Sequence, residues 1–187
     1  MLRARTAGFS LVELLIGLAI AALLMVLAMP SYTLWVADAQ IRNTVESIAD
    51  GMRYAQSQAV ARNSTMEFVL DSTTGTGGWI ARLAIDGSTI QTGVFAEGAD
   101  RTTMTALPAG ATTVTFTSLG QISATNADAS PPLTEVQVTT ATGLAGTRDL
   151  RVLVGGGGSG VLGQASRTGI KICDPKWPST DPKGCPA

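Results

Sequence analysis

The chain has 187 residues, of which 45% are hydrophobic and only 14% are charged, and its formal net charge is −1. This length is sufficient for one globular domain with an extension, and the charged share lies well below the typical value of about 25%. Histidine is absent, which excludes sites built on the commonest general base and the commonest metal ligand.

A short basic leader precedes a long apolar segment. The leader contains Arg3 and Arg5, and no charged side chain occurs in residues 14–37. A helix over this stretch could span a bilayer core, and the basic leader would keep the N-terminus cytoplasmic, so that the body faces the periplasm. The segment is too long for an ordinary secretory signal and lacks a cleavage site directly after it. A plain signal anchor is the alternative interpretation.

Glu13 lies alone near the start of this apolar segment. A carboxylate within a membrane span is unfavourable by about 2.5–3.5 kcal/mol on insertion scales, and such groups usually have a dedicated partner. This arrangement predicts a subunit that is stored in a membrane and drawn into an assembly.

The segment after the span has the period of an amphipathic helix. Its apolar residues are spaced alternately by four and three positions, as in a helix with one buried face, and they are Ile41, Val45, Ile48, Met52, Ala55 and Ala59. Asn63 and Ser64 are plausible terminators. We therefore predict a helix from Phe9 to Arg62, with its second half packed on a globular body.

The helical period is lost beyond residue 64. The sequence predicts seven strands, at residues 65–70, 79–85, 89–95, 112–118, 135–140, 149–154 and 169–173. Asp86-Gly87 between the second and third strands is a strong hairpin signal. The Gly-rich stretch at residues 155–160 lacks the Lys-Ser/Thr ending of a phosphate-binding loop, which favours a surface loop. The predicted fold class is α+β, with an antiparallel β-domain.

The last part of the chain combines two cysteines with a basic charge. In an exported domain the closely spaced Cys173 and Cys185 predict a disulfide, which would stabilise the fold by about 3 kcal/mol through chain entropy. A zinc site is not expected, since two thiols without histidine are too few ligands.

Residues 9–139 carry five arginines against eleven acidic residues, whereas residues 140–187 carry six basic residues against three aspartates. This excess is either ordinary solvated surface charge or a contact surface for an acidic partner. The six basic residues are Arg148, Arg151, Arg167, Lys171, Lys176 and Lys183.

The N-terminal segment resembles a known motif. Residues Gly8-Phe9-Ser10-Leu11-Val12-Glu13-Leu14 are similar to the start of type IV pilins and type II secretion pseudopilins. The resemblance implies that a prepilin peptidase cleaves between Gly8 and Phe9 and methylates Phe9. It also implies that Glu13 meets the N-terminal amine of a neighbouring subunit, and that Pro30 is the helix-breaking proline of the assembly segment.

Residues 52–63, and less closely residues 116–122 and 169–174, resemble the GspH/FimT branch of that family, which includes FimU-like minor pilins. The implied organisation is a cleaved leader (1–8), a transmembrane and assembly half-helix (9–37), an amphipathic half-helix (38–63) and a periplasmic β-rich domain (64–187). The implied location is the bacterial inner membrane, with a single pass and the C-terminal domain in the periplasm, and the pilus or pseudopilus after assembly. The implied partners are major and minor pilins or pseudopilins, prepilin peptidase and an inner-membrane assembly platform. No cofactor or metal is implied.

These features predict a non-enzymatic minor pilin at or near the tip of a type IV pilus, because a cysteine pair after a basic strand is more similar to minor pilins. An H-type pseudopilin of a type II secretion system is the alternative, and a signal-anchored periplasmic binding domain is a second. The resemblance also implies a role in DNA uptake for some members, through C-terminal residues such as the six basic residues above.

Overall fold

The computed structural model of the chain describes residues 10–73, 77–95, 102–140, 147–155 and 169–185. The chain divides into two compact units, one ending at Val36 and the other beginning at Ala37. One helix and eight strands occur in the described residues. They are α1 (Leu11–Ala61), β1 (Met66–Asp71), β2 (Gly78–Leu83), β3 (Thr89–Val94), β4 (Thr102–Leu107), β5 (Thr113–Phe116), β6 (Glu135–Thr140), β7 (Leu150–Val154) and β8 (Ile170–Cys173).

In the first unit, α1 is apolar and exposed on all sides. Its large side chains are mostly more than half exposed, for example Leu11 at 76% and Met29 at 64%. The most apolar window of 18 residues has a mean hydropathy of 2.7, and none of it is buried within the protein. Such a helix has no internal face to pack, which is the pattern expected of a segment surrounded by lipid or by other helices.

In the second unit, α1 becomes amphipathic and contributes to the core. Burial begins at Ala37, and the six apolar residues predicted to form one stripe are all fully buried. They belong to one hydrophobic cluster that also contains the inward-facing residues of the strands. The predicted core face of the helix is therefore confirmed.

The strands form two antiparallel four-stranded sheets. The first sheet has the order β3-β2-β1-β5 and the second has the order β4-β6-β7-β8. The hairpin predicted at Asp86-Gly87 joins β2 to β3. Gly87 adopts a positive φ of 70°, and hydrogen bonds from Ser88 hold the pKa of Asp86 below its ordinary value.

Strand β4 was not predicted from the sequence. Its six residues, Thr-Thr-Met-Thr-Ala-Leu, contain few large apolar side chains, so their alternation gives a weak signal. The strand nevertheless pairs with β6 along its whole length. The other seven strands lie at the predicted places, with ends that differ by at most two residues.

Trp79 packs α1 onto the first sheet. Its indole N–H donates to Ser47 Oγ at 3.2 Å, and its ring stacks on Phe68 with 6.1 Å between centroids. A β-carbon added to Gly51 of α1 would lie 2.5 Å from Trp79 Cδ2, and one added to Gly93 of β3 would also overlap the indole. The two glycines therefore provide the space that this side chain occupies.

We predict that Gly51→Ala lowers the free energy of unfolding by about 1–3 kcal/mol, because the added methyl group would overpack the core. Asn43→Ala is the control, since Asn43 is exposed on the same helix and alanine favours the helix there. Denaturant unfolding of the full chain in detergent, followed by tryptophan fluorescence, measures both. A stabilising effect of Gly51→Ala would contradict the close packing of the indole.

Candidate assembly segment and basic tail

Ser10 caps the first turn of α1 through a hydrogen bond with Glu13. Ser10 precedes the helix, and its Oγ accepts a hydrogen bond from the backbone N–H of Glu13 at 3.2 Å. A serine cap followed three residues later by glutamate is the pattern of a capping box, which stabilises helix N-termini. Glu13 is thus fixed in the first turn, where a carboxylate is also favoured by the helix dipole. Gly8 and Phe9, the predicted cleavage and methylation residues, lie outside the described residues.

The carboxylate of Glu13 takes part in none of the ion pairs formed between described residues. The residue is exposed, and its neighbours along the helix are apolar and exposed too. An unpaired carboxylate in such surroundings requires either water or a counter-charge from another molecule.

Pro30 lies inside α1, which continues without interruption through it. Proline has no backbone N–H, so the helical hydrogen bond to the carbonyl four residues earlier is missing. The hydroxyl of Thr33 donates to the carbonyl of Pro30 at 2.9 Å. The helix therefore lacks one backbone hydrogen bond at Pro30 and gains one hydrogen bond from the side chain of Thr33 a turn later.

Tyr32 and Trp35 form an exposed aromatic pair near the end of the apolar segment. Their ring centroids are 6.3 Å apart, and both side chains are more than 60% exposed. Tyrosine and tryptophan are enriched at membrane–water interfaces. This pair was not predicted from the sequence, although aromatic residues three positions apart at the end of an uncharged span are a recognisable signal.

The predicted disulfide between Cys173 and Cys185 is present, with 5.0 Å between the Cα atoms. The chain between the two cysteines folds back beside β8. The backbone N–H of Asp174 donates to the carbonyl of Lys183 at 2.8 Å. The predicted disulfide that closes the tail is therefore confirmed.

Close packing at Gly184 shapes this tail. The carbonyl oxygen of Pro178 occupies the place of a β-carbon at Gly184, and Lys171 Nζ donates to the carbonyl of Gly184 at 3.1 Å. Only a residue without a side chain fits at this point. The tail is therefore fixed by main-chain packing as well as by the disulfide.

The structure places the six basic residues of the C-terminal part in different environments. Arg151 forms an ion pair with Glu135 at 3.1 Å, and both are partly buried. Arg148 is exposed, and its backbone N–H donates to Asp38 Oδ1 of α1 at 2.9 Å. Arg167 lies outside the described residues.

The three lysines lie on β8 and the tail that follows it. Lys176 and Lys183 are exposed, and Lys183 Nζ lies 5.7 Å from the centroid of the Trp177 ring, which is 43% exposed. The disulfide-closed tail therefore presents cations beside one exposed aromatic ring, an arrangement that the charge count alone did not reveal.

Within the described ranges, no group of three or more Cys, Asp or Glu side chains is placed to hold a metal ion. A surface depression lies between the end of α1 and the turn at Gly120 and is lined mainly by Arg53, Gln56, Val60 and Leu119. It is shallow, and Ser57, the hydroxyl residue of its lining, donates its hydroxyl to the main-chain carbonyl of Tyr54 at 2.8 Å rather than to a general base of the kind used in covalent catalysis.

Residues 44–158 of the chain match the family model described as the type II transport protein GspH. This match extends from the second half of α1 past β7 and covers more than half of the chain. The chain belongs to the GspH family. Residues 3–29 match a second model, the prokaryotic N-terminal methylation motif, which contains Glu13. A GspH-family chain with this motif is a pilin-type subunit, either a minor pilin or a pseudopilin, that assembles with other pilins after processing by prepilin peptidase.

The crystal structure of the type IV minor pilin FimU from Pseudomonas aeruginosa PAO1 is similar to this GspH-family chain. The match covers 62% of this chain and 83% of that one, with 19% sequence identity and a TM-score of 0.45. No curated protein matches the chain. The family match confirms the resemblance to the GspH/FimT branch, and the long helix packed on antiparallel sheets confirms the predicted α+β, pilin-like fold.

Proposed function

We propose that this chain is a non-enzymatic minor pilin, stored in the bacterial inner membrane and incorporated at or near the tip of a type IV pilus. In this proposal residues 1–8 are the cleaved leader, residues 9–37 span the membrane, residues 38–63 continue the helix, and residues 64–187 form a periplasmic domain. The inner-membrane assembly platform extracts the subunit. The observation that carries the proposal is the carboxylate of Glu13, which forms no ion pair with a described residue, in the first turn of an apolar, exposed helix.

In this proposal assembly is driven by neutralisation of the Glu13 carboxylate in a region without water. Cleavage after Gly8 creates a positive amine at Phe9, four residues before Glu13. In the assembled filament the carboxylate pairs with that amine on an adjacent subunit, and the attraction is strong because the surrounding helices exclude water. Apolar packing of residues 14–29 forms the remainder of the helix–helix contact. The pairing sets the axial position of each subunit.

The C-terminal strand and its disulfide favour assignment of the chain to a pilus over assignment to a secretion pseudopilus. The basic strand β8 is followed directly by the disulfide that closes the tail, which is the feature that resembles minor pilins. The H-type pseudopilin of a type II secretion system is the competing assignment. Deleting the gene distinguishes the two, since loss of surface pili supports our proposal and loss of an exported enzyme with intact pili contradicts it.

We predict that Glu13→Leu leaves membrane insertion unchanged and lowers incorporation into filaments by more than about tenfold. Removing one partner of a buried ion pair leaves the other charge uncompensated, at about 3–5 kcal/mol. Immunoblots of membrane and sheared-filament fractions measure the two quantities. Glu46→Leu is the control, because Glu46 is also exposed on α1 but lies beyond the apolar segment. Incorporation of Glu13→Leu at the level of the unmodified chain would disprove the pairing.

We predict that Gly8→Glu abolishes leader removal and therefore blocks assembly. The peptidase needs the small residue before the cleaved bond, and a retained leader leaves no amine at Phe9 to meet Glu13. Mass spectrometry of the N-terminal peptide measures cleavage and methylation together. Ala4→Glu adds the same charge within the leader and should be processed normally. Equal amounts of cleaved product from Gly8→Glu and the unmodified chain would contradict the assignment.

DNA binding at the basic tail is a second candidate function, favoured by the exposed Trp177 ring beside Lys183. Proteins that bind single-stranded nucleic acid combine cations for the phosphates with aromatic rings for the bases. Lys176 and Lys183 lie on the same disulfide-closed tail. Binding of this kind would make the affinity fall steeply as the salt concentration rises.

We predict that Lys176→Glu combined with Lys183→Glu abolishes a DNA mobility shift given by the full chain in detergent at low salt. Changing either lysine alone removes one cation that neutralises a phosphate, so the slope of log affinity against log salt should fall by about 0.7–0.9. Arg62→Glu is the control, since Arg62 is an exposed cation at the end of α1. An absence of any shift with the unmodified chain at low salt would eliminate DNA binding.

A further inference from the structure

The part of α1 between Glu13 and Ser31 carries no polar side chain. It covers residues 14–30, and its large side chains are all more than half exposed. Polar groups bound it on both sides, with Ser10 and Glu13 before it and Ser31 and Tyr32 after it. Seventeen residues of helix measure about 26 Å, close to the thickness of about 30 Å of the hydrocarbon core of a bilayer. This stretch therefore fits the hydrocarbon core with little excess at either end.

Tyr32 and Trp35 mark the outer end of this stretch. Both residues are more than 60% exposed, and their ring centroids lie 6.3 Å apart. Each ring has an apolar body and one polar group, which suits the headgroup region, where lipid and water meet. Asp38, the first charged residue after Glu13, follows Trp35 by three positions. The aromatic pair thus lies between the last apolar turn and the first charge.

The spacing along α1 relates this pair to Glu13. Tyr32 follows Glu13 by nineteen positions and Trp35 follows it by twenty-two, which corresponds to about 28 and 33 Å along the helix axis. A helix that holds the aromatic rings among the headgroups of one leaflet therefore brings Glu13 to the headgroups of the other leaflet. Placing Glu13 at the bilayer centre would instead move exposed apolar side chains such as Val26 and Leu27 into water, which is unfavourable.

We infer that in the stored subunit Tyr32 and Trp35 lie among the lipid headgroups of the periplasmic leaflet and hold Glu13 at the cytoplasmic boundary of the membrane. The carboxylate is then in contact with water during storage, where an ionised group carries little penalty. It loses that water only when the subunit is drawn outward, at the stage when the amine of an adjacent subunit replaces it. The inference rests on the proposed function, which supplies the membrane and the orientation of the chain.

The depth of Trp35 is the first measurement. The full chain is reconstituted in phosphatidylcholine vesicles whose acyl chains carry bromine, a fluorescence quencher, either near the headgroup or near the terminal methyl group. The difference in emission between the unmodified chain and Trp35→Phe isolates Trp35, because Trp79 and Trp177 occur in both. Bromine near the headgroup should quench this emission at least about twofold more strongly than the deeper bromine. Stronger quenching by the deeper bromine, or none by either, would overturn the inference.

The depth of Glu13 is measured through its neighbour Val12. Val12→Cys places a thiol beside Glu13, and Ala21→Cys places one in the middle of the apolar stretch, whereas the two native cysteines are joined in a disulfide and do not react. The sample is inside-out inner-membrane vesicles from cells without the assembly platform. A maleimide that cannot the membrane permeate should label Val12→Cys at least about tenfold faster than Ala21→Cys. Equally slow labelling of both would overturn the inference alone, whereas absence of the chain from the membrane fraction would overturn the proposed function.

The role of the aromatic pair is tested with a thiol at Leu15 as the reporter. Tyr32→Leu combined with Trp35→Leu removes the boundary and lengthens the apolar surface towards Asp38, so that the helix can slide towards the cytoplasm. Labelling of Leu15→Cys should then rise by about threefold. The exchanged pair, Tyr32→Trp with Trp35→Tyr, keeps two aromatic rings and should leave the labelling unchanged. Unchanged labelling in the leucine variant would contradict the assignment of the pair to the headgroup region.

Discussion

The structure depends on one constraint, which is that the two halves of the helix α1 have different surroundings. Up to Val36, α1 exposes apolar side chains in every direction, and from Ala37 it buries one stripe in the core of the second unit. The change from an all-round apolar surface to a single apolar face occurs within about one turn of Asp38, the first charged residue after the span. One helix therefore contains both a segment long and apolar enough to span a membrane and a face that belongs to a folded domain.

The parts of the protein governed by local patterns were predictable from the sequence. The stripe from Ile41 to Ala59 has the helical period, and the Asp86-Gly87 turn fixes a hairpin with backbone angles that few other residues adopt. The methylation motif is contiguous, so the resemblance to type IV pilins and pseudopilins could be inferred from residues 8–14. The pairing of Cys173 with Cys185 followed from the chain having only two cysteines and a predicted export route.

The parts that depend on distant contacts were not predictable. Strand β4 exists because β6 pairs with it, and its own residues alternate too weakly to indicate a strand. The environment of Trp79 requires Gly51 and Gly93, which lie on different elements of the fold. Likewise, the count of basic residues could not show that Arg151 is neutralised by Glu135 across neighbouring strands, or that the backbone of Arg148 is bound to α1.

The hydrogen bond between Arg148 and Asp38 has a consequence for the order in which the domain can form. The two residues are 110 positions apart, so the second half of α1 is synthesised long before its last partners are. Until the strands of both sheets have followed, part of the apolar face of α1 lacks the core side chains that cover it. A nascent chain therefore carries a partly uncovered apolar face until the last strands are made, and such a face is prone to aggregation.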